Sequence, residues 1–291
     1  MNTLKIAQVS KTYANGVKAL NNVNLTISNG MFGLLGPNGA GKSSLMRTLA
    51  TLQEPTSGTI LFNDINSIEN PQALRNHLGY LPQEFGVYPK ISAYELLDHM
   101  AVLKGIGNKK ERKEQVLALL QQTNLYQHRK KSVSTFSGGM RQRFGIAQAL
   151  LGSPKLIIVD EPTAGLDPEE RNRFHNLLSE IGENVIVLLS THIVEDVRDL
   201  CSNMAIMGEG QIISQGKPSE LIKGLVDKIW QRTINKKDLE AFKTAFNVLS
   251  SQLHSGQILL HVLSDNKPES GFELVHPNLE DVYFSTLNTK K

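Results

Sequence analysis

Gly36-Pro37-Asn38-Gly39-Ala40-Gly41-Lys42-Ser43 satisfies GxxxxGK[ST] and lies between an apolar run, Met31–Leu35, and an amphipathic stretch. That spacing holds a polyphosphate. Gly36, Gly39 and Gly41 let backbone N–H groups turn inward onto an anion, and the helix that follows adds the positive end of its dipole. Lys42 brings charge to the β/γ-phosphates, and Ser43 brings a hydroxyl for Mg2+, with Ser44 directly behind it. A second pattern, Leu156-Ile157-Ile158-Val159-Asp160-Glu161, delivers two carboxylates to the end of an apolar run. Asp160 is placed to hold Mg2+ through water and Glu161 to polarise a water attacking the γ-phosphate. On its own, a strand ending in Asp-Glu could equally begin a loop. A third pattern, Phe136-Ser137-Gly138-Gly139-Met140 ahead of a helical stretch, is either a plain helix start capped by Ser137 or a second anion grip. A nucleotide held at the first grip leaves the second vacant, which two chains facing each other would resolve.

These residues need elements to position them. Short apolar runs alternate with longer amphipathic stretches over the first 220 residues, an α/β layer pattern. Strands are predicted at Met31–Leu35, Gly79–Pro82, Leu156–Val159, Val185–Ser190 and Met204–Met207. The runs LIIV and VIVLL fit strands covered on both faces, and a buried helix segment fits the same pattern. Between Ser92 and Thr135 the texture turns helical, as an insertion would. Residues 101–135 carry eight basic and two acidic side chains, a local net of +6 in a chain whose total is +3. That run is a solvated helical face or a surface near anionic lipid headgroups. From about Leu225, FNVLSSQL and QILLHVL restore a β-rich texture, and a final helix is predicted over Leu279–Leu287, capped by Asn278.

The chain has 291 residues, 40% of them hydrophobic and 20% charged, enough for a large core with a smaller appendage and too apolar for general disorder. A net charge of +3 gives no bulk attraction for nucleic acid. Cys201 is the only cysteine, so no intrachain disulfide forms. Apolar runs reach five residues where a bilayer span needs about 18 to 20, and the start has no apolar core of a secretory signal. A cytoplasmic chain is expected. Apart from His192, the histidines show no metal-ligand spacing.

In order, GPNGAGKS, Gln83, SGGM, IIVDE, Ala164-Gly165-Leu166-Asp167 and His192 resemble the nucleotide-binding subunit of an ATP-binding cassette transporter, over residues 3–220. The resemblance implies an α/β fold: a P-loop NTPase (RecA-like) core over residues 1–222, with an inserted helical subdomain at about 86–145; the β-rich texture beyond it is expected to form a small α+β accessory domain over 223–291. It implies ATP and Mg2+ as cofactors and ATP hydrolysis as the activity. The partners implied are a second nucleotide-binding subunit, paired head to tail, and membrane-spanning permease subunits at the inner face of the cell membrane. Gly36, Pro37, Asn38, Gly39, Ala40, Gly41, Lys42, Ser43 and Ser44 match the family's phosphate loop. Tyr13 matches the aromatic that stacks on adenine. Gln83 matches the glutamine that meets the metal or its water, and His192 the histidine that holds the γ-phosphate and Glu161. Ser137, Gly138 and Gly139 match the grip on the partner's nucleotide, and Asp167 the aspartate at the dimer seam. Met140 departs from the family's usual glutamine and Phe136 from its usual leucine.

The ending HPNLEDVYFSTL resembles the tail of subunits serving exporters of drugs, lipids, polysaccharides or peptides. Two rivals are weighed: a soluble cassette protein acting on ribosomes or DNA, and a nucleotide-gated scaffold without turnover. The first usually carries two cassettes or a long coiled coil, whereas this chain has one Lys42-type motif and no sustained heptads. The second would not need both Glu161 and His192.

Overall fold

The computed structural model describes residues 1–86, 88–163, 166–182 and 184–288. Ala164 and Gly165 thus lie outside the described residues. Two compact units divide the chain: Met1–Ser202 with Met207–Ile212, and Asn203–Ile206 with Ile213–Lys291.

The first unit begins with β1 (Thr3–Thr12), β2 (Lys18–Ser28) and β3 (Gly30–Leu35), followed by α1 (Lys42–Leu49), β4 (Ser57–Phe62) and β5 (Ile65–Asn66). An antiparallel layer forms in the order β2-β1-β4-β5. In β1, Leu4 and Ile6 turn inward two residues apart, but the next inward residue is Val9. A bulge between Ile6 and Val9, with Gln8 at φ 53°, absorbs the extra position. Opposite it stands Gly58, where a Cβ would meet the Gln8 carbonyl at 2.5 Å, so the bulge excludes any side chain there.

After α2 (Pro71–His77) come β6 (Leu78–Leu81), α3 (Ala93–Leu103), α4 (Lys109–Gln122), α5 (Gly138–Ala149), β7 (Leu156–Asp160), α6 (Pro168–Ile181), β8 (Ile186–Thr191) and α7 (Val194–Leu200). β3, β8, β7 and β6 lie side by side in that order, all parallel. Every residue of β7 and β8 is buried. The runs LIIV and VIVLL are therefore strands covered on both faces, as their unbroken apolar sequence requires. The register sets Leu35 beside Thr191, Ser190 beside Asp160, and Val159 beside Leu81. All four strands thus end at one level, and the residues that follow them, Gly36, His192, Glu161 and Gln83, are delivered to one edge.

The helical layer starts on a capping box: the Ser92 hydroxyl accepts from Glu95 N–H while the Glu95 carboxylate accepts from Ser92 N–H. Leu96 and Leu97 of α3, Val116 and Leu120 of α4, and Phe144 and Ala147 of α5 pack together, each at most 1% exposed. Each large side chain so buried contributes about 1.5–3 kcal/mol. Phe136 meets Phe144 edge-on, with ring centroids 6.4 Å apart, so the aromatic in place of leucine fills this core. Lys109, Lys110, Lys113, Lys130 and Lys131 are exposed, as a solvated face requires. Lys104 is exposed as well, but its head group is held. Its ammonium donates to the carbonyls of Leu78 (2.5 Å) and Arg75 (3.1 Å), and burial pushes its pKa down.

β9 (Asn203–Gly208) and β10 (Gln211–Gly216) contribute to both units. The second unit continues with α8 (Pro218–Lys223), β11 (Ile229–Asn235), α9 (Leu239–Ala245), β12 (Val248–His254), β13 (Gln257–Leu263), β14 (Glu273–Leu274) and α10 (Leu279–Asn288). Its sheet is antiparallel in the order β12-β13-β11-β14. Leu239 and Phe242 of α9 cover Ile234, Ile258 and Leu260. Asn278 caps α10 reciprocally: its side chain accepts from Asp281 N–H at 3.0 Å, and Asp281 accepts from Asn278 N–H at 2.9 Å. Asp281 also meets His261 Nδ1 at 2.7 Å, which places that histidine in a structural pair.

Candidate nucleotide site

The loop after β3 turns tightly, with Ala40 N–H donating to Pro37 O, and enters α1 at Gly41. Gly41 has φ 103°, and a Cβ there would stand 2.4 Å from Ala19 O, so both conformation and space demand glycine. No side chain caps α1, which leaves its first N–H groups for an external acceptor. Lys42 is 4% exposed. Its ammonium donates to Gly36 O (2.8 Å) and Pro37 O (3.2 Å) and lies 3.4 Å from Glu161 Oε1.

Glu161 is the point of convergence. Besides Lys42, His192 Nδ1 reaches its Oε2 at 3.2 Å, and Gln83 Nε2 donates to the same oxygen at 3.5 Å. Its N–H donates to Ser190 O at 2.9 Å, which anchors the turn to β8. Its backbone has φ 48°, the left-handed region, which costs a residue other than glycine about 1–2 kcal/mol. That turn swings the carboxylate off the strand direction and into the opening.

Asp160, one residue earlier, is 3% exposed, and its Oδ1 is buried without a hydrogen-bond partner. Burial raises its pKa; the neighbouring hydroxyls of Ser190 and Ser43 and the charge of Lys42 pull the other way, and Glu161 adds to the rise. An orphaned carboxylate oxygen beside a serine hydroxyl is a hard oxygen set that fits Mg2+, a metal that keeps much of its own water. No group of three or more His, Cys, Asp or Glu stands together as a metal site among the described residues.

Tyr13, Asn38, Gly39, Gly41, Lys42, Ser43, Ser44, Gln83, Glu161 and His192 line one cleft of about 740 Å³. Gly36, Pro37 and Ala40 form the loop behind it. Tyr13 is fixed by a 3.0 Å hydrogen bond between its hydroxyl and Ser44 Oγ and a second to Gln53; the Ser44 bond draws its pKa down against burial. Lys18, Ala19, Glu209 and Gly210 also line the cleft. They are strand-end and turn residues that no motif marks.

Ser137, Gly138, Gly139 and Asp167 do not line this cleft. Ser137 caps α5, accepting from Met140 N–H at 3.2 Å. Gly138 has open space where a Cβ would be, whereas at Gly139 a Cβ would meet the Glu170 carboxylate at 2.4 Å. Glu170 is itself held by Arg143 at 3.1 Å. Met140 is half-buried against the helical core. Asp167 is exposed and caps α6, accepting from Glu170 N–H at 2.8 Å. Asp196, a fully buried carboxylate on α7 that motif reading missed, does not line the cleft; its signal is an acid four residues after His192, and it meets Arg171 and His175, which stand four apart on α6.

The family model described as ABC transporter matches residues 20–164. The ABC transporter ATP-binding protein YxlF of Bacillus subtilis (strain 168) is 32% identical over 98% of this chain and 99% of its own length. A probable multidrug ABC transporter ATP-binding protein, YbhF of Escherichia coli (strain K12), is 31% identical over 88% of this chain, which spans 46% of that longer protein. Subunits named for methionine import match as well. Among solved structures, the dimeric ATP-binding cassette MJ0796 bound to ADP and Pi superposes with a TM-score of 0.68 at 28% identity, over 74% of this chain and 98% of that one. With a relative matched from end to end and a P-loop fold shared with a solved cassette, the chain belongs to the ABC transporter family, as an ATP-binding and ATP-hydrolysing subunit that energises transport.

Proposed function

We propose that Gly36–Ser44 grip the phosphates of ATP, that Tyr13 packs on the adenine, and that Glu161 activates the water that attacks the γ-phosphate. The convergence of Lys42, Gln83 and His192 on the Glu161 carboxylate within one cleft carries this reading. Lys42 supplies positive charge where the β/γ-phosphates lie. Glu161 accepts a hydrogen bond from the attacking water and takes its proton as the new oxygen–phosphorus bond forms and the bond from the γ-phosphorus to the β–γ bridging oxygen breaks, with ADP leaving on that oxygen and phosphate as the second product. His192, bonded to Glu161 through Nδ1, has Nε2 left for the γ-phosphate. Asp160, Ser43 and Gln83 would hold Mg2+, which when bound neutralises charge on the phosphate oxygens.

Ser137, Gly138, Gly139 and Asp167 stand away from the chain's own cleft, which supports their acting on the nucleotide of a second subunit. The site is complete, on this reading, only in a dimer. The further partner is a membrane-spanning permease, which would bring the subunit to the inner face of the membrane; no helix among the described residues is long and apolar enough to cross one. The HPNLEDVYFSTL ending and a relative named for multidrug transport support export. Residues 223–291 form an accessory domain.

Glu161→Gln tests the core of this reading. It should lower kcat by about 10²–10⁴-fold while preserving ATP binding, and should run as a dimer on a sizing column with Mg-ATP. Undiminished turnover would remove Glu161 from the mechanism. ATP-driven uptake into inverted vesicles holding the copurified permease would support export.

A further inference from the structure

The carboxylate of Asp196 on α7 has no solvent exposure and takes no part in the chemistry proposed above. Four side chains nevertheless meet it. Thr163 Oγ1 donates at 2.5 Å, Thr191 Oγ1 at 3.2 Å and Arg171 Nε at 2.8 Å, and His175 Nε2 lies at 2.8 Å. Burial alone would raise its pKa, but hydrogen bonds from His175, Thr163 and Arg171 outweigh that and draw it down, so the group is ionised at neutral pH.

The positions of its partners give the cluster meaning. Thr163 lies two residues after Glu161. Thr191 directly precedes His192, and its hydroxyl, besides donating to Asp196, accepts from Ile193 N–H at 3.0 Å, so the turn that carries His192 is bonded on both sides. Arg171 and His175 share one face of α6, and Arg171 N–H donates to the carbonyl of Asp167. One buried charge thus ties together the segments bearing Glu161, His192 and Asp167. None of the residues from Gly36 to Ser44 contributes a hydrogen bond or ion pair to it.

We propose that Asp196 is a positioning residue for ATP hydrolysis, fixing through Thr191 the turn that presents His192, and through Arg171 the helix that starts at Asp167. A carboxylate suits this task because it only accepts, and its two oxygens receive donors from three segments at once. The proposal rests on the reading of His192 given above, and the test separates the two.

Thr191→Val removes the hydroxyl that joins the His192 turn to Asp196 while nearly keeping its shape. It should lower kcat about tenfold with the KM for ATP within twofold, and Thr191→Ser should restore turnover. Thr191→Val combined with His192→Ala should be no slower than His192→Ala alone, because both act through the same ring. Multiplicative losses in the double variant would overturn the proposal. A second readout needs no turnover: in histidine-labelled full-length protein, the His192 ring resonance, assigned by its loss in His192→Ala, should shift in Thr191→Val and in Asp196→Asn but not in Thr191→Ser. An unshifted resonance in both would also overturn it. If His192→Ala leaves hydrolysis intact, the catalytic reading of His192 falls, while the resonance still decides whether Asp196 positions it.

Discussion

Two glycine-rich helix starts in this chain look alike in sequence and differ in surroundings. Gly41 opens α1 onto a cleft, with no cap on the helix, Lys42 over the loop and two carboxylates, Asp160 and Glu161, at the end of β7. Gly138 opens α5 at the surface, with the Ser137 hydroxyl already on its first turn and no lysine within the helix. A helix N-terminus attracts anions in both places, but charge, enclosure and a reactive carboxylate converge at only one. The first has the parts to bind and cleave. The second, on the proposed reading, holds a nucleotide bound by another chain.

The largest effect that sharpens this contrast is expected from Lys42→Ala. Loss of that cation should weaken ATP binding about 100-fold, or about 2.7 kcal/mol, by titration of the purified chain. Binding within twofold of wild type would mean that backbone N–H groups alone make the first grip, which would erase the difference between the two helix starts.

Neighbouring glycines at the second start should separate. Gly139→Ala drives a methyl into the Glu170–Arg143 pair and should destabilise the fold by about 1–3 kcal/mol in denaturant melts. Gly138→Ala meets open space and should change stability by no more than about 0.5 kcal/mol, yet slow hydrolysis and weaken ATP-driven pairing. Normal turnover in Gly138→Ala would count against a role for this grip at a partner's nucleotide.

A smaller effect is expected at the first site without any nucleotide. Burial holds the Asp160 carboxyl above its ordinary value, so the folded chain keeps that proton more tightly than the unfolded one, and stability falls as pH rises from the ordinary carboxyl value through the raised one. Asp160→Asn should therefore raise the neutral-pH stability by about 1 kcal/mol, a few degrees in Tm, while stopping Mg2+-dependent hydrolysis. Its advantage should shrink as pH falls through that raised value, where the wild-type carboxyl takes up its proton. A melting temperature that drops on substitution would show that Asp160 is paid for by contacts within the fold.

The strands β3, β7 and β8 were legible because short apolar stretches, MFGLL, LIIV and VIVLL, closed by Gly36, Asp160 and Ser190, suit a sheet covered on both sides. The bulge at Gln8 was not, since one extra residue in an alternating strand leaves composition untouched. Gln83 carries no local signal, and His192 only its place at a strand end; resemblance singled them out. Asp196 fits no motif, and its meaning comes from donors 5 to 33 residues distant.

From sequence alone came the phosphate loop, the paired carboxylates and the alternation of strands with helices, because periodicity and glycine placement are local properties of the chain. Tertiary structure decided the rest. Parallel register brings four strand ends level, and that alignment, which depends on which strands become neighbours, sets Gln83, His192 and Lys42 around the Glu161 carboxylate.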